Sequence, residues 1–376
     1  MSQLDEFYMA RALKLAERGL YTTEPNPRVG CVLVRAGEII GEGWHRKAGE
    51  GHAEVEALAA VKGSAEGSTA YVTLEPCSHQ GKTGPCCVAL VEAGVKRVVA
   101  AMLDPNPLVA GRGFRYMEEA GVEVKFGVLE SQARALNPGF IKRMETGLPY
   151  VRIKLAMSVD GRTAMASGES QWITGPAARS DVQKLRARSS AIVTGIGTVL
   201  DDDPSMTVRA EQLAAISEHV SVEEVVSRQP LRVVLDSDFK TPADAKIVSQ
   251  PGKVWVVGAG ELPLSAIGRA ELKQLANDEG RIDLHELLKS LAENECNEVL
   301  VEAGAVLSGA FLQAGLVDEL VIYMAPKLLG SSARPLMALP GMEKMADQVE
   351  LSITETRSVG DDWRINAIVR GSQKRV

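Results

Sequence analysis

The sequence predicts two α/β domains in tandem, and three observations lead there. Apolar strand-like runs alternate with helical patterns through both halves of the chain. The rhythm breaks at Gly147-Leu148-Pro149, after which a new strand, YVRIKLAMS, starts at once. The length, 376 residues, exceeds one ordinary core and suits two. The boundary falls there, giving domains 1–147 and 148–376.

In the first half a helix near 3–19 precedes the loop Thr22-Thr23-Glu24-Pro25-Asn26-Pro27. Two strands, VGCVLVR and EIIGEGWH, join through Gly37. Residues 52–62 read as a helix, Thr69 to Leu74 as a strand, 86–93 as a helix and KRVVAAM as a buried strand. A further helix, the strand GVEVKFGV and one helix to about Thr146 complete the half. In the second half AIVTGIG, LRVVLD, KVWVVG, EVLVEAG and ELVIYMAP read as strands, with helices at 176–187 and about 304–314. The polar stretch 210–229 reads as a surface insertion, and no internal repeat is visible.

Composition narrows the function. The chain is 45% hydrophobic and 24% charged, as expected of a globular protein. A net charge of −7 argues against a protein that coats nucleic acid, which needs clustered Lys and Arg against phosphates. No run approaches the roughly 18 apolar residues of a membrane span. The first twenty residues read as a charged amphipathic helix rather than a signal peptide. Five unevenly spaced cysteines make no disulfide framework, so the expected compartment is the cytoplasm. Clustered Cys77, Cys86 and Cys87 then suggest metal or catalysis.

The chemistry-bearing residues are His52-Ala53-Glu54, Pro76-Cys77 and Pro85-Cys86. His52 follows Gly51 at a predicted helix start, Cys77 lies just past a strand, and Pro85 suits the start of the next helix. One imidazole and two thiolates suit tetrahedral zinc, one ion per chain, with the fourth position left to water. Glu54 is placed as the proton shuttle between that water and a leaving amine. This His-x-Glu and Pro-Cys pattern is the signature of zinc deaminases, with the glutamate outside the ligand set. Here the usual short gap between cysteines is enlarged. Cys87 is the alternative ligand, but the proline before Cys86 favours Cys86; Cys31 and Cys296 sit in apolar, core-like settings.

Further residues carry a resemblance. Pro25-Asn26-Pro27-x-Val29-Gly30, His52-Ala53-Glu54 and Pro76-Cys77-Ser78-His79-x-Gly81-Lys82-Thr83 resemble the bifunctional riboflavin-biosynthesis deaminase/reductases. So do Asp104-Pro105-Asn106-Pro107, Ser158-Val159-Asp160-Gly161-Arg162, Gly168-Glu169-Ser170-Gln171-Trp172-Ile173-Thr174 and Val301-Glu302-Ala303-Gly304, so the likeness spans the chain. Gly84 departs from the family's usual proline.

The resemblance implies a cytidine-deaminase-like α/β/α domain followed by a dihydrofolate-reductase-like α/β domain. It implies Zn2+ and NADPH as cofactors, and as substrate a small phosphorylated pyrimidine. The first domain would deaminate 2,5-diamino-6-ribosylamino-4(3H)-pyrimidinone 5′-phosphate, and the second would reduce its ribosyl group to ribityl. Asn26, His45, His79 and Lys82 would line the deaminase pocket, although either histidine also suits a local loop hydrogen bond.

In the second half no Gly-x-Gly-x-x-Gly follows the first strand. Two strand-to-glycine turns, at Thr194-Gly195-Ile196-Gly197-Thr198 and after Glu302, offer backbone N–H groups to a cofactor phosphate. By family position, Ala156, Trp172, Thr198, Asp202, Ser237 and the run Gly304, Ala305, Val306, Leu307, Ser308, Gly309 and Ala310 would border the cofactor. Ser170, Arg186, Met206, Arg209 and Glu302 would border the sugar phosphate, the arginines by a bidentate fork. Lys154 and Asp160 are candidates for proton delivery or ribose binding, or form a solvated hairpin ion pair. Two other readings compete: a cytosine, guanine or tRNA-adenosine deaminase, and a closed structural zinc beside a nucleotide-sensing module. The sequence leaves a homo-oligomer open.

Overall fold

The computed structural model describes residues 2–78, 84–107, 109–213, 216 and 219–371. The chain divides into two compact units that change over between Gly147 and Leu148, with His219 and Val220 joining the first unit.

The strands of the first unit are β1 (Gly30–Arg35), β2 (Glu38–Trp44), β3 (Thr69–Val72), β4 (Arg97–Ala100) and β5 (Glu123–Lys125). Its helices are α1 (Gln3–Ala16), α2 (Ala53–Ala59), α3 (Cys86–Glu92), α4 (Arg112–Glu119), α5 (Glu130–Leu136) and α6 (Pro138–Thr146). Among the described residues the strands form one sheet, ordered β2-β1-β3-β4-β5, antiparallel at β1–β2 and β1–β3 and parallel beyond. Both faces are covered, so β1 reads as an unbroken apolar run rather than an alternating one. Val32 and Val34 pack with Met9, Leu13 and Ile141 on one face; Cys31 and Leu33 pack with Ala57, Leu90 and Met117 on the other.

Two details place the functional loops. A Cβ on Gly43 would lie 2.3 Å from the Ala57 nitrogen, so only glycine lets α2 seat this close to the sheet. The single helix expected up to Thr146 is two, broken at Asn137-Pro138, because proline cannot continue the hydrogen-bond ladder. Buried Asn137 donates to the Arg28 carbonyl at 2.9 Å and accepts from its N–H at 2.8 Å, which fixes the loop leading into β1.

The second unit contains β6 (Tyr150–Ser158), β7 (Arg162–Ala164), β8 (Ala191–Gly195), β9 (Leu231–Leu235), β10 (Val254–Gly258), β11 (Glu271–Gln274), β12 (Glu298–Val301), β13 (Glu319–Ala325), β14 (Arg334–Pro335), β15 (Leu351–Val359) and β16 (Asp362–Val369). Its helices are α7 (Pro176–Arg188), α8 (Ile196–Asp202), α9 (Val222–Ser227), α10 (Lys246–Ser249), α11 (Leu284–Glu293) and α12 (Ala305–Gln313). Among the described residues the main sheet runs β11-β10-β9-β8-β12-β6-β13-β16-β15, parallel as far as β13, with the β15–β16 hairpin antiparallel at its edge. β12 returns between β8 and β6, and at such a reversal of strand order ligands bind beyond the strands' carboxyl ends. The stretch 210–229 is more than a surface insertion: Leu213 and Val225 are buried, and the Gln229 side chain bridges to the Val208 backbone.

Buried Asp5 ties α1 to the far side of the first sheet, bonding Arg97 at 2.8 Å and Lys125 at 2.7 Å. The Arg97 hydrogen bond above all holds its carboxyl well below the usual carboxylate range. A depressed acid stabilises the fold above its unfolded pKa of about 3.9 and loses that contribution as pH falls. The first unit is therefore expected to weaken progressively below about pH 4, and Asp5→Asn to flatten this acid limb in pH-dependent unfolding curves.

Candidate functional site

His52 caps α2, Glu54 sits in that helix's first turn, and Cys86 opens α3 after its N-cap, Pro85. Cys77 reaches them from the loop after β3. Its sulfur lies 3.5 Å from His52 Nδ1, and the Cys86 sulfur lies 3.3 Å from the same nitrogen. The Cys86 backbone N–H donates to Cys77 Sγ at 3.3 Å. Tetrahedral zinc bonds would set such nitrogen and sulfur donors about 3.5 Å apart, so both spacing and softness of the donors fit zinc.

Charge supports the same fit. The Cys77 thiol is drawn down to about 4, first by its hydrogen bond with Cys86 and then by His52. Cys86, its partner in that bond, is pushed up in turn. The bond to Cys77 raises His52. Glu54, 3% exposed, is pushed up to about 7 by burial first and by Cys77 second. A divalent cation relieves this accumulation of negative donors. Cys87, one residue on, packs instead with Cys31 and Leu90 in the core, and burial pushes its thiol up to about 11.

The pocket wall beside the cluster is preorganised. His45 Nδ1 donates to the Gly51 carbonyl at 3.0 Å, so Nε2 accepts from the Asn26 side-chain amide, also at 3.0 Å. Burial lowers the His45 pKa and keeps the ring neutral. Its ring stands edge-on to His52, with centroids 5.2 Å apart. His79 and Lys82 lie outside the described residues.

In the second unit, strand register assembles a different cluster. Val301 of β12 pairs with Val193 of β8 and Ile153 of β6. The next residues, Glu302, Thr194 and Lys154, are therefore level and share the face covered by α7. From α7, Arg186 grips Glu302 through two bonds, 2.6 and 3.0 Å long, and also donates to the Thr207 carbonyl and Met206 Sδ. The Arg186 fork expected for a sugar phosphate is thus closed on Glu302. Lys154 is depressed by burial against the pull of Glu302, and Arg209 by burial and the nearby Arg186. Arg209 Nε has no hydrogen-bond partner among the described residues. Lys154, Arg186 and Arg209 thus surround the one Glu302 carboxylate. The hydroxyl of Thr194, the first residue of the strand-to-glycine turn read from the sequence, is buried and also lacks a partner among the described residues.

Asp160 forms neither a hairpin ion pair nor part of this cluster. Its carboxylate takes the Ser158 hydroxyl and the N–H groups of Leu329 and Gly330, bracing the turn after β6. Along the expected cofactor edge, Ala156 lies on β6, Thr198 and Asp202 on α8, and Ser237 is exposed after β9. Asp202 accepts from Gln171 at 2.9 Å. Ser170 is half-buried ahead of exposed Trp172, whose ring carries the Arg179 guanidinium at 4.5 Å. Gly304 caps α12, and a Cβ on Gly304 or Gly197 would meet nothing within 4 Å, leaving room for a ligand. Val306 is exposed and Ala305, Leu307 and Ala310 are half-buried. Ser308 and Gly309 are buried, with the Ala338 carbonyl 2.0 Å from where a Gly309 Cβ would stand, so these two serve packing.

A soft three-donor metal pocket with a buried glutamate defines a zinc deaminase, joined in one chain to a unit built on a mostly parallel sheet. Residues 2–102 match the cytidine and deoxycytidylate deaminase zinc-binding region, and residues 149–365 match the RibD C-terminal domain. The chain is 54% identical to the riboflavin biosynthesis protein RibD of Escherichia coli K12, over 95% of this chain and 97% of that one. Form 1 of Acinetobacter baumannii RibD superposes with TM-score 0.89 at 48% identity, covering 98% and 99% of the two chains. A diaminohydroxyphosphoribosylaminopyrimidine deaminase/5-amino-6-(5-phosphoribosylamino)uracil reductase from Thermotoga maritima does so with TM-score 0.84 at 30% identity, covering 97% and 99%. The chain belongs to the RibD family of riboflavin biosynthesis proteins. It is a bifunctional enzyme, a zinc-dependent deaminase and an NADPH-dependent reductase. Among the described residues no helix is long and apolar enough to cross a membrane.

The placement of the two adjacent cysteines is open to a direct check. Cys86→Ser is expected to abolish stoichiometric zinc, and Cys87→Ala to retain one ion per chain, by elemental analysis of the purified variants.

Proposed function

We propose that residues 1–147 deaminate 2,5-diamino-6-ribosylamino-4(3H)-pyrimidinone 5′-phosphate and that residues 148–376 then reduce its ribosyl group to ribityl. The observation that carries the first step is buried Glu54 beside the convergent His52, Cys77 and Cys86. Those three would hold the zinc, which supplies the Lewis acidity that makes water nucleophilic at neutral pH. Glu54 takes a proton from the attacking water and delivers it to the ring amine, which leaves as ammonia while a carbonyl replaces it. Burial away from water raises the Glu54 carboxyl and favours proton uptake there. Asn26, held by His45, turns its amide oxygen to the pyrimidine edge. His79 and Lys82, outside the described residues, are assigned to the substrate by family position, the lysine to its phosphate.

In the second step NADPH supplies the hydride, and the protein orients C1′ of the sugar toward it. Lys154 and Arg209 hold the phosphate, while the Arg186–Glu302 pair fixes the floor and Met206 packs beside it. Asp160 shapes the adjoining turn, and Ser170 borders the sugar. The cofactor lies over the turns at Gly195–Thr198 and Gly304–Val306, rimmed by Ala156, Asp202 and Ser237. Exposed Trp172 and Val306 offer it apolar surface. The reading places the chain in the cytoplasm, acting on a small molecule and not on nucleic acid; it does not require a homo-oligomer.

Glu54→Gln is expected to keep its zinc, to lose deamination by about 100- to 10,000-fold, and to reduce already deaminated substrate at the parent rate. Product masses with and without NADPH read both steps; loss of both together would overturn the division of labour. Arg209→Ala is expected to raise the reductase KM by about tenfold or more, as befits a hydrogen bond to a charged group, without changing deamination.

A further inference from the structure

Glu75 stands two residues before Cys77 and is 3% exposed. Both carboxylate oxygens are engaged by backbone N–H groups of Asp104 and of the start of α4. Oε2 accepts from Gly111 at 2.9 Å and Asp104 at 3.2 Å; Oε1 accepts from Gly113 at 2.9 Å and Phe114 at 3.4 Å. No side-chain cation appears in that set. The start of α4 presses on the backbone immediately before the metal ligand: a Cβ on Gly113 would lie 2.2 Å from the Pro76 carbonyl oxygen. On its other side Cys77 is held by the Cys86 N–H at its sulfur and by the Cys87 N–H, 3.2 Å from its carbonyl.

We propose that Glu75 is a positioning residue for the zinc site: by gathering the N–H groups of Asp104, Gly111 and the first turn of α4, it clamps Pro76 against Gly113 and fixes Cys77 Sγ. A carboxylate suits this work because its two oxygens accept four bonds without supplying a donor of their own. An amide in its place presents one accepting oxygen and an NH2 that faces N–H groups, so it breaks half of the clamp while keeping its size. The inference rests on Cys77 being a zinc ligand. Partners behind metal ligands typically change metal affinity by about 10- to 100-fold when replaced.

The test measures zinc affinity of the full-length chain by competition with a chromogenic chelator, using zinc alone as the probe. Parent, Glu75→Gln, Gly113→Ala and Cys77→Ser are compared. Reduction of deaminated substrate by NADPH serves as the internal measure of the second unit. Weaker zinc binding by about 10- to 100-fold in both Glu75→Gln and Gly113→Ala, with folded circular dichroism and reduction within about twofold of the parent, would support the clamp. Parent-like affinity in Glu75→Gln would overturn it. So would a Glu75→Gln chain whose first unit fails to fold, since the carboxylate would then hold the domain rather than the ligand. Parent-like zinc binding in Cys77→Ser would instead overturn the ligand assignment itself.

Discussion

The first unit is organised around one electrostatic demand. Its fold drives an imidazole, two thiols and a carboxylate into a single buried pocket, where the side chains acting most on Glu54 among the described residues are Cys77, His52 and Cys86. Buried charge in a low dielectric is costly unless it is compensated. A metal ion held by the three donors would supply that compensation. The three layers serve this pocket. A glycine brings α2 onto β2, a proline starts α3 at the second cysteine, and the Asn137 brace closes the loop that carries Asn26.

The second unit meets a similar demand with its own side chains. Arg186 neutralises Glu302 within the protein, leaving Lys154 and Arg209 as surplus positive charge at the carboxyl edge of the sheet. Parallel pairing makes the arrangement sensitive to register. A slip of one residue in β12 would turn Glu302 to the opposite face, into the apolar layer of Val301 and Leu287. At the other end of the same strands, Arg152 bonds Glu298 and Glu319 within the sheet, so charged pairs mark both ends of β12.

Much of this was legible in the sequence because the signals were local. The zinc donors follow a strand end, a helix cap and a proline, each readable over a few residues. The strands YVRIKLAMS and EVLVEAG stand out as apolar runs, as buried parallel strands must. What escaped depends on distant partners. Nothing near Arg186 shows that its fork closes on a glutamate more than a hundred residues away, and nothing near Glu75 reveals the N–H groups of Asp104 and the start of α4 that it gathers. The hairpin β15–β16 was missed because its outer strand is largely exposed and mixes polar with apolar residues. The single helix read up to Thr146 failed on one proline. Ser308 and Gly309 looked like cofactor contacts by position, but helix periodicity turns them inward.

The junction between the units has a consequence of another kind. Helix α6 ends at Thr146 and β6 begins at Tyr150, so only Gly147, Leu148 and Pro149 separate two units with distinct cores. One round of translation therefore yields one of each catalytic centre, at any level of gene expression. The cell has no independent dosage control over the two steps, and the balance of flux between them falls to their turnover numbers.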